Sequence, residues 1–380
     1  MKRTHRKVAL ISHWSSQGGA ERFLYDAARC FRQAGIEVVA FFPHRGSMTR
    51  KYEALGVDVH TSSYRWWAGK DVHLLKRIGR NLWTLACLPR IAWIIAKSRC
   101  DVVYTNTSMV WIGAASAKLL GLPHVWHVHE YGWDTFDFTW DLGKRLSLWW
   151  IRSSSRVVLF NSGTTAKKYR EYGARWTERI LHQGFEPIAP EEDPMVADAN
   201  ELRLGVVGFV NEQKRQLDAI RALAILAERG IPVTLTIIGH CETAYAQTLL
   251  EHAEAWGVRD RIRLRGFIDS AEAIYGSFDI LVVPSLSESF GRVTVEAMLS
   301  RKAVVAADSG ANAELIRDQE TGFLYRGGDS DHLAQVLQRV LRDEGLRHRV
   351  MEVAYAEARH SFSMEAMQRQ LVELMEELGT

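Results

Sequence analysis

Residues 280–300 read ILVVPSLSESFGRVTVEAMLS, and their composition changes twice along that length. Ile280 to Val283 is a short β-branched apolar run of the kind that fills the centre of a parallel sheet. Pro284 cannot donate to a ladder, so the strand is expected to end there. Ser285 to Gly291 is small and polar and reads as a loop, after which Val293, Val295, Ala297 and Met298 give a helix its apolar surface. A helix that begins at a glycine leaves its first N–H groups open, and those groups together with the macrodipole attract anions. Glu288 stands in the loop and Glu296 two turns later. The two carboxylates cannot share one helical face; they suit hydroxyl groups at opposite ends of a single ligand whose middle is a phosphate.

Working outward, the chain has 380 residues, enough for two domains that each bury a core. It is 47% hydrophobic and 24% charged, as an ordinary globular protein is. The formal net charge of +3 conceals an asymmetry: residues 1–190 carry +14 and the remainder −11. A basic first half implies an anionic partner or surface. Twelve of the thirteen tryptophans fall in the same half, and amphipathic aromatics gather where apolar material meets water. Cys30, Cys87, Cys100 and Cys241 form no metal-binding spacing and imply no disulfide framework. The start, MKRTHRKVALIS, has too short an apolar run for a signal peptide, and no stretch is long and apolar enough to span a membrane.

Strand and helix signals alternate from end to end. Strands are expected at Lys7–Ser12, Glu37–Phe42, Asp58–Thr61, Asp101–Thr105, His124–His129 and Arg156–Asn161, and again at Glu201–Gly208, Thr234–Gly239, Ile262–Gly266, Ile280–Val283 and Ala303–Ala306. Alternation of this kind means βαβ units, parallel sheets covered on both faces, and ligands beyond the C-terminal strand ends. His129 and Glu130 occupy such an end, as do Asn106 and Asn161, and Gly18-Gly19 lies where the first strand turns into a helix. PIAPEEDP, residues 187–194, reads as an interdomain linker. Beyond it Gly208 closes a strand and the basic run around Lys214 opens a helix, a second anion site. Asp329-Ser330-Asp331 precedes a helical pattern, where Asp is the expected N-cap and not a metal ligand. The segment from Glu344 to Gly379 reads as helical.

Between Tyr64 and Arg99 the basic residues, Lys76, Arg77 and Arg80 among them, are opposed by a single acid, Asp71. Leu74, Leu75, Ile78, Leu82 and Leu85 recur at helical spacing, which makes a basic amphipathic helix, divided at Pro89. Such a helix either docks on an anionic leaflet or packs its apolar face on the sheet and solvates its basic one. Trp133 to Trp140 forms a second aromatic cluster that suits an acceptor site or the same surface.

The interval between Glu288 and Glu296, with Ser285, Phe290, Gly291 and Ala297 around them, resembles the EX7E signature of retaining glycosyltransferases of the GT-B fold, specifically glycosyltransferase family 4. FDILVVPS upstream, RKAVVAADSGANAELIRDQETGFLYRGGD downstream and GGAE at residues 18–21 are similar to the family pattern, so the resemblance covers essentially the whole chain. It implies an α/β protein with two Rossmann-like domains facing a cleft. Residues 1–190 would bind the acceptor, residues 191–360 the nucleotide sugar, and the helix of residues 361–380 would return to the first domain. The implied activity is transfer of a hexose-type sugar from a nucleotide-diphosphate donor to a hydroxyl of a glycan or lipid-linked saccharide, with retention and without metal or other cofactor.

In that comparison Glu288 holds donor-sugar hydroxyls and Glu296 the ribose. His129, preferred over His127, hydrogen-bonds a sugar hydroxyl and offers its carbonyl to the transition state. Lys214 and the backbone from Gly291 through Arg292, Val293 and Thr294 contact the diphosphate, Gly208 and Gly239 lie beside the nucleotide, and Gly18, Gly19 and Asn106 lie on the acceptor side. The family often has arginine directly after Gly208; Phe209 removes that contact, and Arg215 is the nearest substitute. The expected setting is the cytoplasm, with a peripheral place on the inner membrane face through residues 64–99, and nucleic acid is not an expected partner. Competing readings are a nucleotide-sugar epimerase of the same fold, a non-catalytic nucleotide-sugar-binding subunit, and a glycosidase, which would need its carboxyl groups flanking one bond.

Overall fold

The computed structural model describes residues 6–70, 73–131, 139–174, 176, 178–190, 202–241 and 243–379. The linker residues 191–194 and residues 133–138 of the second aromatic cluster lie outside the described residues. The chain divides into two compact units, residues 1–184 with 364–380 and residues 185–363.

The first unit is built on β1 (Lys7–Ser12), β2 (Glu37–Phe42), β3 (Asp58–Thr61), β5 (Val102–Asn106), β6 (His124–Val128), β8 (Val157–Phe160) and β9 (Glu178–Ile180), with β4 (Ala68–Gly69) pairing antiparallel to β7 (Thr139–Trp140) apart from them. The seven strands are all parallel, in the order β3-β2-β1-β5-β6-β8-β9. Val8, Ala9, Leu10 and Ile11 of the central strand are fully buried, as a strand covered on both faces demands. Its helices are α1 (Gly19–Gln33), α2 (Ser47–Ala54), α3 (Leu74–Lys97), α4 (Ile112–Leu120), α5 (Gly143–Ser153) and α6 (Gly163–Glu171). The second unit has β10 (Leu202–Val207), α7 (Gln216–Glu228), β11 (Val233–Ile238), α8 (Thr243–Ala255), β12 (Ile262–Leu264), α9 (Ala271–Gly276), β13 (Ile280–Val283), α10 (Arg292–Leu299), β14 (Ala303–Ala307), α11 (Asn312–Leu315), β15 (Phe323–Tyr325), α12 (Ser330–Arg342) and α13 (Glu344–Ser361). Its sheet is also parallel, in the order β12-β11-β10-β13-β14-β15.

The helical stretch expected from Glu344 to Gly379 is two helices. Phe362 turns into the core of the second unit, and its carbonyl accepts the N–H of Phe185 at 2.8 Å, which ends α13. The last helix, α14 (Met364–Leu378), belongs to the first unit, where Met367, Leu371, Leu374 and Met375 join Phe23, Ala27 and Phe31 of α1 in one buried cluster.

Three features of the basic amphipathic stretch bear on the two readings left open for it. First, α3 runs unbroken through Pro89, because Ile91, Ala92, Ile94 and Ile95 beyond the proline are buried and hold the second half in line with the first. Second, the apolar residues of the first half are not used by the core: Leu74, Leu75, Ile78, Leu82 and Leu85 are all exposed. Third, part of the basic face is internal. Arg80 bonds Asp141 through both Nε and Nη2 and donates to Ala68 O at 3.1 Å, while Asn81 Nδ2 donates to Asp141 Oδ2 at 2.6 Å. Asp141 is almost fully enclosed, so removing the Arg80 guanidinium leaves a buried charge with only Arg77, 3.9 Å away, as counterion. Arg80→Ala is expected to cost about 3–5 kcal/mol, read as a lower urea midpoint. A change below about 0.5 kcal/mol would show that the pair is solvated.

Candidate functional site

In the second unit every chemistry-bearing residue singled out above lies at a C-terminal strand end or on the helix that follows. Beyond β10 the chain passes through Gly208, whose φ is +142°, and beyond β11 through Gly239, at +153°. A Cβ on Gly239 would sit 1.8 Å from the Gly208 carbonyl oxygen, so the two loops touch backbone to backbone and only glycine fits. Gly239→Ala is therefore expected to destabilise the protein by about 3 kcal/mol or more, with a matching fall in Tm; an unchanged Tm would mean that the loops can part.

After Gly208 a 3₁₀ turn, Glu212–Lys214, is capped by Asn211, whose side chain accepts from Lys214 N at 3.2 Å. That turn aims Lys214 back along the strand end. Its stem packs 3.7 Å from the Cβ position of Gly208, and its Nζ lies 2.5 Å from Glu288 Oε1. Arg215 Nε donates to Asp218 Oδ2 at 2.8 Å. Phe209 itself is 60% exposed and belongs to an aromatic ledge with His240 and Phe267, one ring from each of three adjacent strand ends.

Glu288 is 9% exposed. Its carbonyl accepts from Ala311 N at 2.8 Å, which fastens the loop after β13 to the start of α11. Gly291, with φ +81°, caps α10; a Cβ there would meet Leu315 Cδ1 at 2.8 Å. The first intrahelical bond runs from Thr294 N to Gly291 O at 3.0 Å, so the Thr294 amide is spent inside the helix, and the amides of Arg292 and Val293 are the ones that precede it. Thr294 Oγ1 donates to Asn312 Oδ1 at 3.0 Å. Arg292 turns its side chain onto Glu296 Oε1 at 2.7 Å and over the Phe185 ring. Glu296 also accepts from the Tyr275 hydroxyl at 2.8 Å. Gly208, Gly239, Lys214, Glu288 and Gly291 thus form one connected set, with Glu296 further along α10. The set offers a cation, a helix start and two carboxylates, the donor inventory for a polyhydroxylated anion.

In the first unit, Asn106 closes β5 and is fully buried. Its Nδ2 donates to Ala20 O at 2.8 Å, which obliges its Oδ1 to face His129 Nε2, 2.7 Å away. Nε2 must then carry the proton. Burial, with a smaller contribution from His13, pushes the His129 pKa down to about 3, so the ring is neutral and its Nδ1 is an acceptor. The His129 carbonyl accepts from Asn161 Nδ2 at 3.0 Å. Glu130 fixes the turn: Thr107 Oγ1, Ser108 N and Ser108 Oγ all donate to its Oε1, and His129 N donates to its Oε2. His127 bonds Tyr104 OH at 2.6 Å inside the sheet, as a structural histidine does. Gly18 and Gly19 begin α1; a Cβ on Gly18 would strike Glu21 Oε2 at 2.5 Å, whereas one on Gly19 meets nothing within 4 Å. Glu21, whose carboxylate pairs with His13 at 3.0 Å, and Asn161 are parts of this arrangement to which the sequence reading assigned no role. Asp329 is the N-cap of α12, accepting from His332 N at 2.9 Å.

Two doubly wound parallel sheets of these strand orders, each with its polar residues at the C-terminal strand ends, define the GT-B architecture of glycosyltransferases. Residues 17–185 match the family model described as Glycosyltransferase Family 4, and residues 191–357 the one described as Glycosyl transferases group 1. The chain belongs to the family 4 glycosyltransferases. Among curated relatives it is 32% identical over 186 residues to the "Lipopolysaccharide core biosynthesis mannosyltransferase LpcC" of Rhizobium leguminosarum bv. viciae, a match over 48% of this chain and 53% of that protein. It is 25% identical to the "Sulfoquinovosyl transferase SQD2" of Arabidopsis thaliana, over 93% of this chain and 70% of that one. Among solved structures, Anabaena Alr3699/HepE in complex with UDP shares the fold with a TM-score of 0.84 at 22% identity, over 98% of this chain and all of that one.

Proposed function

We propose that the protein transfers a sugar from a nucleotide-diphosphate donor to a hydroxyl of a glycan or glycolipid acceptor, with retention of anomeric configuration, in the assembly of a cell-surface polysaccharide or lipopolysaccharide. The observation that carries this reading is the Lys214–Glu288 pair beside the glycine-capped start of α10. In this reading the donor diphosphate takes Lys214 and the Arg292 and Val293 amides, so charge developing on the leaving group meets a fixed cation and a helix start. That supplies electrostatically what a divalent metal supplies elsewhere. Glu288 then turns to sugar hydroxyls and Glu296 to the ribose. His129 Nδ1 accepts from a sugar hydroxyl, and its carbonyl, oriented by Asn161, faces the cationic transition state. Gly18 and Gly19 admit the acceptor, and Asn106 acts through His129 by fixing its tautomer. Support for a UDP-type donor comes from the UDP-bound Anabaena structure, and for a surface glycan from the rhizobial mannosyltransferase. We place the enzyme in the cytoplasm, at an anionic membrane surface met by residues 64–99; among the described residues no helix is long and apolar enough to cross a membrane.

The test is a screen of Tm with UDP, GDP and ADP and with UDP-glucose and GDP-mannose, followed by incubation of any stabilising sugar nucleotide in EDTA. One ligand at 100 times its Kd should stabilise the native state by about 2.7 kcal/mol and should be consumed with release of the nucleoside diphosphate. Stabilisation by none of them removes the donor site. An epimerised donor with no diphosphate release makes the protein an epimerase.

A further inference from the structure

The surface formed by α3, α5 and the turn before α5 contains a cavity of about 500 Å³ whose lining includes none of the residues assigned above to donor or acceptor. Its walls are Leu74, Ile78, Leu82 and Leu85 of α3, residues that return to one helical face every three or four positions, with Leu142 and Trp150 opposite. Trp67 and Trp111 also line it. Five of these wall residues stand 47–69% exposed, a cluster of apolar side chains left facing solvent.

The polar groups in the lining say what kind of occupant fits. Asn81 Nδ2 donates to Asp141 Oδ2 at 2.6 Å, Trp111 Nε1 donates to Asn81 Oδ1 at 2.8 Å, and Arg77 is drawn to the same Asp141 at 3.9 Å and to Thr139 Oγ1 at 3.4 Å. They satisfy one another, so a sugar or nucleotide entering the cavity would trade water for apolar walls and lose hydrogen bonds, whereas a hydrocarbon chain would lose none. Among the described residues, basic side chains are exposed on the same elements and on the loop before α3. Arg65, Lys70, Lys76 and Arg145 are exposed, and Arg65, Lys76 and Arg80 line an open hollow on the adjoining side of α3. An apolar slot with cations beside it is complementary to a lipid whose head is anionic.

We propose that this cavity takes one hydrocarbon chain of an anionic membrane lipid and so anchors the first unit to the bilayer, a site that rests on the membrane setting given above and adds to it a defined place of contact. The experiment measures partitioning of the full chain onto phosphatidylglycerol-containing and pure phosphatidylcholine vesicles by sedimentation, and in parallel the quenching of tryptophan fluorescence by monomeric lysophosphatidylglycerol bearing a doxyl group on its chain. The cavity variant is Ile78→Ser with Leu82→Ser and Leu142→Ser, all exposed enough to leave the fold intact; Leu119→Ser, equally exposed on α4, is the control. Wild type and control should bind phosphatidylglycerol vesicles and be quenched, and the triple variant should lose at least tenfold in both, at unchanged Tm and unchanged affinity for the stabilising nucleotide. Vesicle binding by the triple variant within twofold of wild type, with quenching retained, overturns the cavity while leaving the membrane setting standing. Equal binding to phosphatidylcholine overturns the anionic head, and absence of binding to any vesicle removes both.

Discussion

Replacing Glu288 by Gln is expected to lower transfer at least about 10³-fold, some 4 kcal/mol of transition-state stabilisation, while the protein goes on binding the nucleoside diphosphate. The two effects separate because the groups are separate. The carboxylate lies 2.5 Å from Lys214 Nζ in a site only 9% exposed, and Gln keeps the shape but not the charge. Lys214, released from its partner, then faces the diphosphate undivided, so affinity for UDP or GDP stays level or rises. A glutamine neither accepts as strongly from sugar hydroxyls nor steadies a cationic transition state. Calorimetric titration with nucleoside diphosphate and product formation under saturating donor check both halves. Transfer near the wild-type rate, or loss of nucleotide binding along with transfer, would contradict the roles assigned.

The second large effect is acid sensitivity of the first unit. His124, His127 and His129 sit on or directly after β6, and burial is the leading cause that holds all three below the ordinary histidine range, His124 and His129 at about 3. The smaller influences are the Ser154 backbone on His124, His129 on His127, and His13 on His129. Each folded pKa is depressed, so the fold favours the neutral ring and its stability is complete above the unfolded pKa of about 6.5. As pH falls from there toward 3 the unfolded chain takes up protons that the folded chain refuses. Each ring then contributes about 1.4 kcal/mol of lost stability per pH unit. The three rings act in the same direction, so their losses add as pH falls from 7 to 5. Urea unfolding followed by circular dichroism should show a steep fall in midpoint between pH 7 and 5; a flat midpoint would mean that the rings are reached by water in the native state.

Much of this was legible in the sequence, for physical reasons that differ by element. The central strands could be read because a strand buried on both faces must be a continuous apolar run, as Val8–Ile11 and Ile280–Val283 are. β9 and β15 escaped notice because three residues are too few to show an alternation, and Glu178 and Arg179 make β9 read as polar. The break between α13 and α14 was hidden because nothing near Phe362 breaks a helix locally; what ends it is the core into which that ring goes. Site residues at strand ends could be found by position. Their partners could not, since Lys214 and Glu288 lie 74 residues apart and Arg80 and Asp141 lie 61 apart. The same limit left two readings of α3 open. Periodicity showed that it has an apolar face, but only the packed structure shows that the core leaves half of that face uncovered.

The most direct measurement of the central claim is proton NMR of the full chain incubated with the sugar nucleotide that stabilises it and a simple alcohol as acceptor, in EDTA. The account predicts accumulation of nucleoside diphosphate together with a glycoside of the same anomeric configuration as the donor. A glycoside of inverted configuration, or a requirement for added divalent metal, would contradict it.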